Sequence, residues 1–190
     1  MSASPQAVVI GSSAGALEAL SRILSVLPAT FILPVIAVVH LPPDKRSILA
    51  ELLQARCAVR VREAEDKEPI TPGTIYFAPP DYHLLVEMDR SLSLSSDEPV
   101  LFSRPSIDVL FESAADAYGC GLLGVVLTGA NHDGARGLNA IVEGGGSAIV
   151  QDPDSAFAPA MPQAAIEACP NARVLSVDAI ASYLQEIGRS

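Results

Sequence analysis

Ser13 stands at the centre of Gly11-Ser12-Ser13-Ala14-Gly15, a run with the spacing G-x-S-x-G. The apolar, β-branched segment Ala7-Val8-Val9-Ile10 precedes it, and Leu17, Leu20, Leu24 and Leu27 follow at helical spacing. Strand, tight turn and helix in that order project the central hydroxyl past the sheet edge, beside the free N–H groups of a helix N-terminus. Flanking glycines permit an unusual backbone and leave room for a substrate. An acyl-transfer nucleophile would sit at such a place. Plainer readings stand beside it: Ser12 or Ser13 as helix N-cap, or a turn that holds an anion. The run lacks the second glycine of G-x-G-x-x-G and the Gly-Lys-Ser/Thr of a P-loop, which weakens the anion reading.

A nucleophilic serine needs a base, and the base needs a group that orients it. His40 closes the apolar run Pro34–Val39, and Asp133 lies in the turn after the run Leu122–Leu127. Alone, His40 could be a hydrogen-bonded residue at the core edge, and Asp133, before Gly134, could cap the next helix. His83 and His132 compete as the base. His83 lies inside a strand-like segment, however, and His132 directly precedes Asp133, where sequence neighbours seldom face one another. Sites in open α/β sheets form beyond the carboxyl ends of the strands, and Ser13, His40 and Asp133 all fall there. The order Ser, His, Asp differs from the Ser, Asp/Glu, His of α/β-hydrolases. Three dispersed histidines with no HxH or HxxxH spacing offer no metal site.

The elements that must carry these residues alternate. A strand ending at Gly11 and a helix ending near Pro28 are followed by the strand Pro34–Val39 and a helix opened by Leu41-Pro42-Pro43-Asp44 that contains Ile48, Leu49, Leu52 and Leu53. The middle reads as four short strands, Ala58–Arg62, Thr74–Phe77, His83–Glu87 and Ser91–Leu94. Some of them alternate polar and apolar residues, as half-buried antiparallel strands do. Helix-strand alternation resumes from Ser106, with strands at Leu122–Leu127, Ser147–Val150 and Arg173–Val177. A single helix joins the first two strands, so a right-handed crossover brings Ser13 and His40 together. The expected fold is α/β, a doubly wound, mostly parallel sheet flanked by helices, with an antiparallel excursion in the middle of the chain.

Several collinear motifs make the chain resemble the catalytic domain of the chemotaxis receptor methylesterases, the CheB type. They are residues 9–15, Val39-His40-Leu41-Pro42-Pro43, Tyr76–His83, Ser103–Phe111, Val126–Gly129 with Asp133-Gly134-Ala135, and Met161-Pro162. The resemblance runs from about Val8 to Ile166. It implies Ser13 as nucleophile, His40 as base and Asp133 as acid, with no cofactor or metal. It further implies hydrolysis of glutamyl methyl esters on the cytoplasmic helical domain of a methyl-accepting chemoreceptor, and deamidation of certain glutamines there. The chain departs from the family pattern at Ala14 and Ala16, where a Thr-like residue and a second glycine are common. It departs again at Ala130-Asn131-His132, where Met-Gly-Asn is common. Many members carry an N-terminal receiver domain. Here the expectation is one methylesterase domain over residues 1–190, without a receiver domain, regulated if at all by a receiver protein in trans. Arg104 and Arg136 are candidates for contacting an acidic receptor segment, or else form ordinary surface ion pairs. Two other readings are a small-molecule serine esterase on the same residues and a non-enzymatic receptor-binding module with an altered turn.

Composition agrees with this picture. The 190 residues suit one domain with a substantial core. A formal charge of −10 and 5% aromatic content argue against nucleic acid or an anionic membrane as partner. Mean hydropathy is high at +0.36, yet no apolar run approaches the ~20 residues that cross a bilayer. The three cysteines are dispersed and form no CxxC pair. With no signal-like start, the cytoplasm is the expected location.

Overall fold

The continuous Val/Ile/Leu runs become strands buried on both faces. In the computed structural model, which describes residues 4–41 and 48–189, the strands β1 (Ala7–Ser12), β2 (Val35–Val39), β3 (Arg60–Glu63) and β4 (Thr74–Phe77) share one sheet with three later ones. A hairpin of β5 (His83–Val86) and β6 (Leu92–Ser95) stands apart, and β7 (Leu122–Val126), β8 (Ser147–Gln151) and β9 (Arg173–Leu175) complete the sheet. Among the described residues its seven strands run in the order β3-β4-β2-β1-β7-β8-β9, every pairing parallel. From β1 the chain winds outward through β2 toward β4 and β3. It then returns to β7 on the other side of β1. The direction of winding therefore reverses between β1 and β7, where such sheets open a crevice.

Among the described residues six α-helices cover the two faces: α1 (Ala16–Leu24), α2 (Leu49–Gln54), α3 (Ile107–Tyr118), α4 (Ala135–Glu143), α5 (Ala160–Ala168) and α6 (Val177–Ile187). Val8 and Ile10 of β1, with Val35, Ala37 and Val39 of β2, point into a core shared with α1, α2 and α6. Ala7 and Val9, with Ile36 and Val38, point into a second core under α3, α4, α5 and the β5–β6 hairpin. The alternation predicts that His40, continuing the set Ile36 and Val38, turns to the α3–α4 side.

Two expectations need correction. β3 and β4 are parallel members of the main sheet, and among the described residues β5–β6 is the one antiparallel pair of strands. β3 is an edge strand whose Val61 packs on the α2 side while Arg60 is exposed, so it alternates like a half-buried antiparallel strand. Leu17 does not belong to the buried face of α1. It is 41% exposed, and Ala16, Ala19, Leu20, Ile23 and Leu24 form that face instead. The helix expected to open at Leu41–Asp44 is described only from Leu49; residues 42–47, which include Pro42 and Pro43, lie outside the described residues.

Candidate active site

The turn after β1 is built around one carbonyl. Thr128, just past β7, accepts from the Ser12 hydroxyl at 2.8 Å and from the Ser13 N–H at 2.9 Å. The Thr128 hydroxyl donates to the Ala14 carbonyl at 2.8 Å and accepts from the Ala158 N–H at 2.9 Å. Ser12 is fully buried and neither it nor Ser13 caps α1; Gly15 holds that position with φ +84 and no side-chain bond. A Cβ at Gly15 would lie 2.7 Å from Phe157 Cβ, so both the backbone and the close approach require glycine. The half-buried Ser13 is thereby left with its side chain uncommitted: among the described residues its Oγ makes no hydrogen bond. Nor do the N–H groups of Ala14 and Gly15, at the start of α1, meet a backbone acceptor among those residues.

His40 leaves the neighbouring strand at the same level. Its N–H donates to the Ser12 carbonyl at 3.1 Å, and its ring turns to the α3–α4 side as the alternation requires. There Nε2 lies 2.7 Å from Asp133 Oδ2. Asp133 is fully buried and is not the cap of α4. Its Oδ2 also accepts from the Ile107 N–H at 2.7 Å, and its Oδ1 from the Asp108 N–H at 2.9 Å and the Ser106 hydroxyl at 3.1 Å. The carboxylate thus closes the first turn of α3, the element next to it in space but not in sequence. Asp108, on that first turn, returns the favour to α4: its Oδ1 accepts from the Gly134 N–H at 3.0 Å and the Gly137 N–H at 2.7 Å. Gly134, at φ +96, turns the chain between Asp133 and α4.

The two buried carboxylates titrate in opposite directions. Burial alone would push Asp133 up, but the hydrogen bonds from His40, Asp108 and Ile107 outweigh it and hold the group below the usual carboxylate value. Burial raises Asp108, and the nearby charge of Asp133 adds to that, against the opposing pull of the Gly137 N–H and Arg136. At neutral pH His40 therefore faces a carboxylate that is firmly charged.

Asn131 completes the surroundings of the imidazole. Its Oδ1 accepts from the Asp133 N–H at 3.1 Å, and its Nδ2 lies 3.1 Å from His40 Nδ1. The structure thus brings His40 to Asp133, with Ser13 on the adjacent strand end; among the described residues no hydrogen bond joins Ser13 Oγ to His40. The competing histidines are elsewhere. His83 is buried, its Nδ1 accepting from the Ser106 N–H at 3.1 Å and its Nε2 lying 3.0 Å from the Glu98 carbonyl, while His132 is exposed. Arg104 is paired with Asp81 at 2.8 Å and donates to the carbonyls of Ser96 and Asp97, and Arg136 is paired with Glu112 at 2.6 Å. Both form the ordinary ion pairs that were the plainer reading.

A cleft of about 210 Å³ opens beside His40, walled by Asp81, Phe102, Arg104 and Pro105. Leu101 and Phe102 form the tip of a two-residue hairpin, with φ +48 and +63, and Phe102 is wholly exposed. Phe157, 80% exposed, stands on the other side of the strand ends against Gly15. Sequence reasoning gave no role to Ser106, Ile107, Asp108, Thr128 or Asn131. Ser106 after Pro105 and before an apolar helical run was a visible start signal; nothing in the sequence pointed that helix start at Asp133.

Fold and site together define an α/β enzyme scaffold with a histidine–aspartate pair at its winding reversal. Residues 8–184 match the family model described as CheB methylesterase, and the chain belongs to that family. It is 49% identical over 176 residues to a Leptospira interrogans protein whose methylesterase/glutaminase name is provisional, which covers 93% of this chain and 91% of that one. It is 39% identical over 189 residues to protein-glutamate methylesterase/protein-glutamine glutaminase 2 of Caulobacter vibrioides, covering 97% of this chain but 54% of that protein, about half its length. The crystal structure of the Thermotoga maritima CheB methylesterase catalytic domain superposes with a TM-score of 0.91 at 33% identity, over 97% of this chain and 100% of that one.

Proposed function

We propose that this chain is a protein-glutamate methylesterase that removes methyl groups from glutamyl esters on the helical cytoplasmic domain of a chemoreceptor, and that the same site deamidates glutamines. The observation that carries the reading is the 2.7 Å bond between His40 Nε2 and the buried carboxylate of Asp133, on the strand end adjacent to Ser13. Ser13 is the nucleophile, His40 the base and Asp133 the group that orients it. With the proton on Nε2 shared with Asp133, Nδ1 is the basic nitrogen. Ser13 Oγ bonds to the ester carbonyl carbon as its proton passes to Nδ1, and Asp133 stabilises the resulting imidazolium. The N–H groups of Ala14 and Gly15 face the developing oxyanion. The imidazolium returns its proton to the departing methoxide as the C–O bond breaks, releasing methanol. A water then attacks the acyl-enzyme, losing its proton to His40, and frees the glutamate and Ser13.

A receptor helix laid across the strand ends would meet Phe102 on the His40 side and Phe157 on the Gly15 side, two exposed aromatics suited to an amphipathic surface. The reaction is cytoplasmic, where that receptor domain lies. Methanol release from methylated receptor tests the reading. Ser13→Ala is expected to lose on the order of 10⁶-fold in the catalysed rate. Retention of even a tenth of the wild-type rate would remove Ser13 from the mechanism.

A further inference from the structure

We propose that Asn131 is a latch on the base. In the resting protein its carboxamide occupies the His40 lone pair, and it swings aside before Ser13 can give up its proton. The inference rests on the assignment of Ser13 and His40 as nucleophile and base.

The hydrogen bonds determine which end of the amide faces the ring. Asn131 Oδ1 is taken by the Asp133 N–H at 3.1 Å, so the NH₂ group is the end that lies 3.1 Å from His40 Nδ1. An amide NH₂ only donates. Nδ1 must therefore accept and carries no proton, and the ring's one proton sits on Nε2, 2.7 Å from Asp133 Oδ2. Two neighbours thus select a single neutral tautomer, the one whose basic nitrogen is Nδ1. One of those neighbours also fills the lone pair that the tautomer provides. A single in-plane lone pair cannot accept the Asn131 N–H and the Ser13 O–H along the same direction at full strength. The carboxamide has somewhere to go: Asn131 is half-buried between exposed Ala130 and exposed His132 on the rim turn.

Asn131 acts through His40 and is a positioning residue, and its effect is separable from that of the turn it supports. Asn131→Ser keeps a side-chain oxygen for the Asp133 N–H but is too short to reach the ring. Asn131→Asp keeps the turn oxygen and presents an acceptor to Nδ1, which favours a proton there. The readout is the rate at which a fluorophosphonate labels Ser13, where Oγ displaces fluoride from phosphorus with His40 as base. Release of one hydrogen bond predicts labelling of Asn131→Ser roughly 2- to 10-fold faster than wild type. Asn131→Asp is expected to label at least several-fold slower at neutral pH. A residue that merely shaped the turn would make Asp behave like Asn and would not make Ser faster.

Long-range ¹H–¹⁵N correlation of the His40 ring in the wild type supplies a test that needs no variant: the expected tautomer has Nε2–H and a bare Nδ1. The latch is overturned if the ring carries its proton on Nδ1, if folded Asn131→Ser labels no faster than wild type, or if Asn131→Asp labels as fast. Absence of Ser13 labelling in folded wild type and both variants would instead overturn the nucleophile assignment, and the latch with it.

Discussion

Asp133→Asn changes one atom at the residue on which the site and two helix starts converge. The wild-type carboxylate receives four donors, from His40, Ile107, Ser106 and Asp108, and is fully buried. An asparagine can present its oxygen to one pair only. Facing His40 and Ile107 with the oxygen leaves the NH₂ against Ser106 and Asp108. The hydroxyl can rotate to accept, but the Asp108 N–H cannot, and a buried N–H without an acceptor costs ~1–3 kcal/mol. The surviving bonds also lose their charge assistance, about 1 kcal/mol each. The expected loss is roughly 3–5 kcal/mol, which at a urea slope of ~2 kcal/mol/M lowers the midpoint by about 1.5–2.5 M at pH 7. The pH dependence follows from the depressed folded value of Asp133. Its contribution is fully present above the unfolded carboxyl value of ~3.9 and is lost as pH falls through the lower folded one. The gap between wild type and Asp133→Asn should therefore start to close below pH ~4. A midpoint within ~0.3 M of wild type at pH 7, or a gap as wide at pH ~2.5 as at pH 7, would refute the reasoning.

Asp108 behaves in the opposite sense. Its raised folded value means that its ionisation opposes folding, with the favourable balance present below the unfolded value and lost as pH rises through the folded one. Asp108→Asn, which keeps an oxygen for the Gly134 and Gly137 N–H groups, should lie within ~1 kcal/mol of wild type at neutral pH, whereas Asp108→Ala should cost roughly 2–4 kcal/mol. Urea titration checks both, and equal damage from the two would show that capping is not what Asp108 does. Thr128→Val keeps the shape but strips the partners of the Ala158 N–H and the Ala14 carbonyl, at a cost of ~1–3 kcal/mol. Amide exchange at Ala158 should accelerate; unchanged protection there would refute that account.

Much of this was legible in the chain because it depends on short-range periodicity. Alternate burial along β2 aims His40 at the α3–α4 side, and residues that end strands fall at one sheet edge whatever the intervening loops do. The errors arose where the deciding contact is distant. Nothing local distinguishes an edge strand such as β3 from an antiparallel one, because both are covered on a single face. Asp133 before Gly134 has every local mark of a cap for α4, yet it serves α3, which begins 26 residues earlier as the Ile107–Asp133 bond runs. Asn131 stood out only as a departure from the family pattern, since its significance lies in which end of an amide meets an imidazole.

The exchange of carboxylates between α3 and α4 carries a mechanical consequence. α3 carries the anion that the leading amides of α4 require, and the turn that leads into α4 carries the one that α3 requires, so neither can slide or fray at its start without pulling on its twin. The carboxylate bonded to His40 is thereby woven into the joint between two major supports of one sheet face. Local loosening of the rim is barred to Asp133, and what mobility the chemistry demands is left to the residues around it.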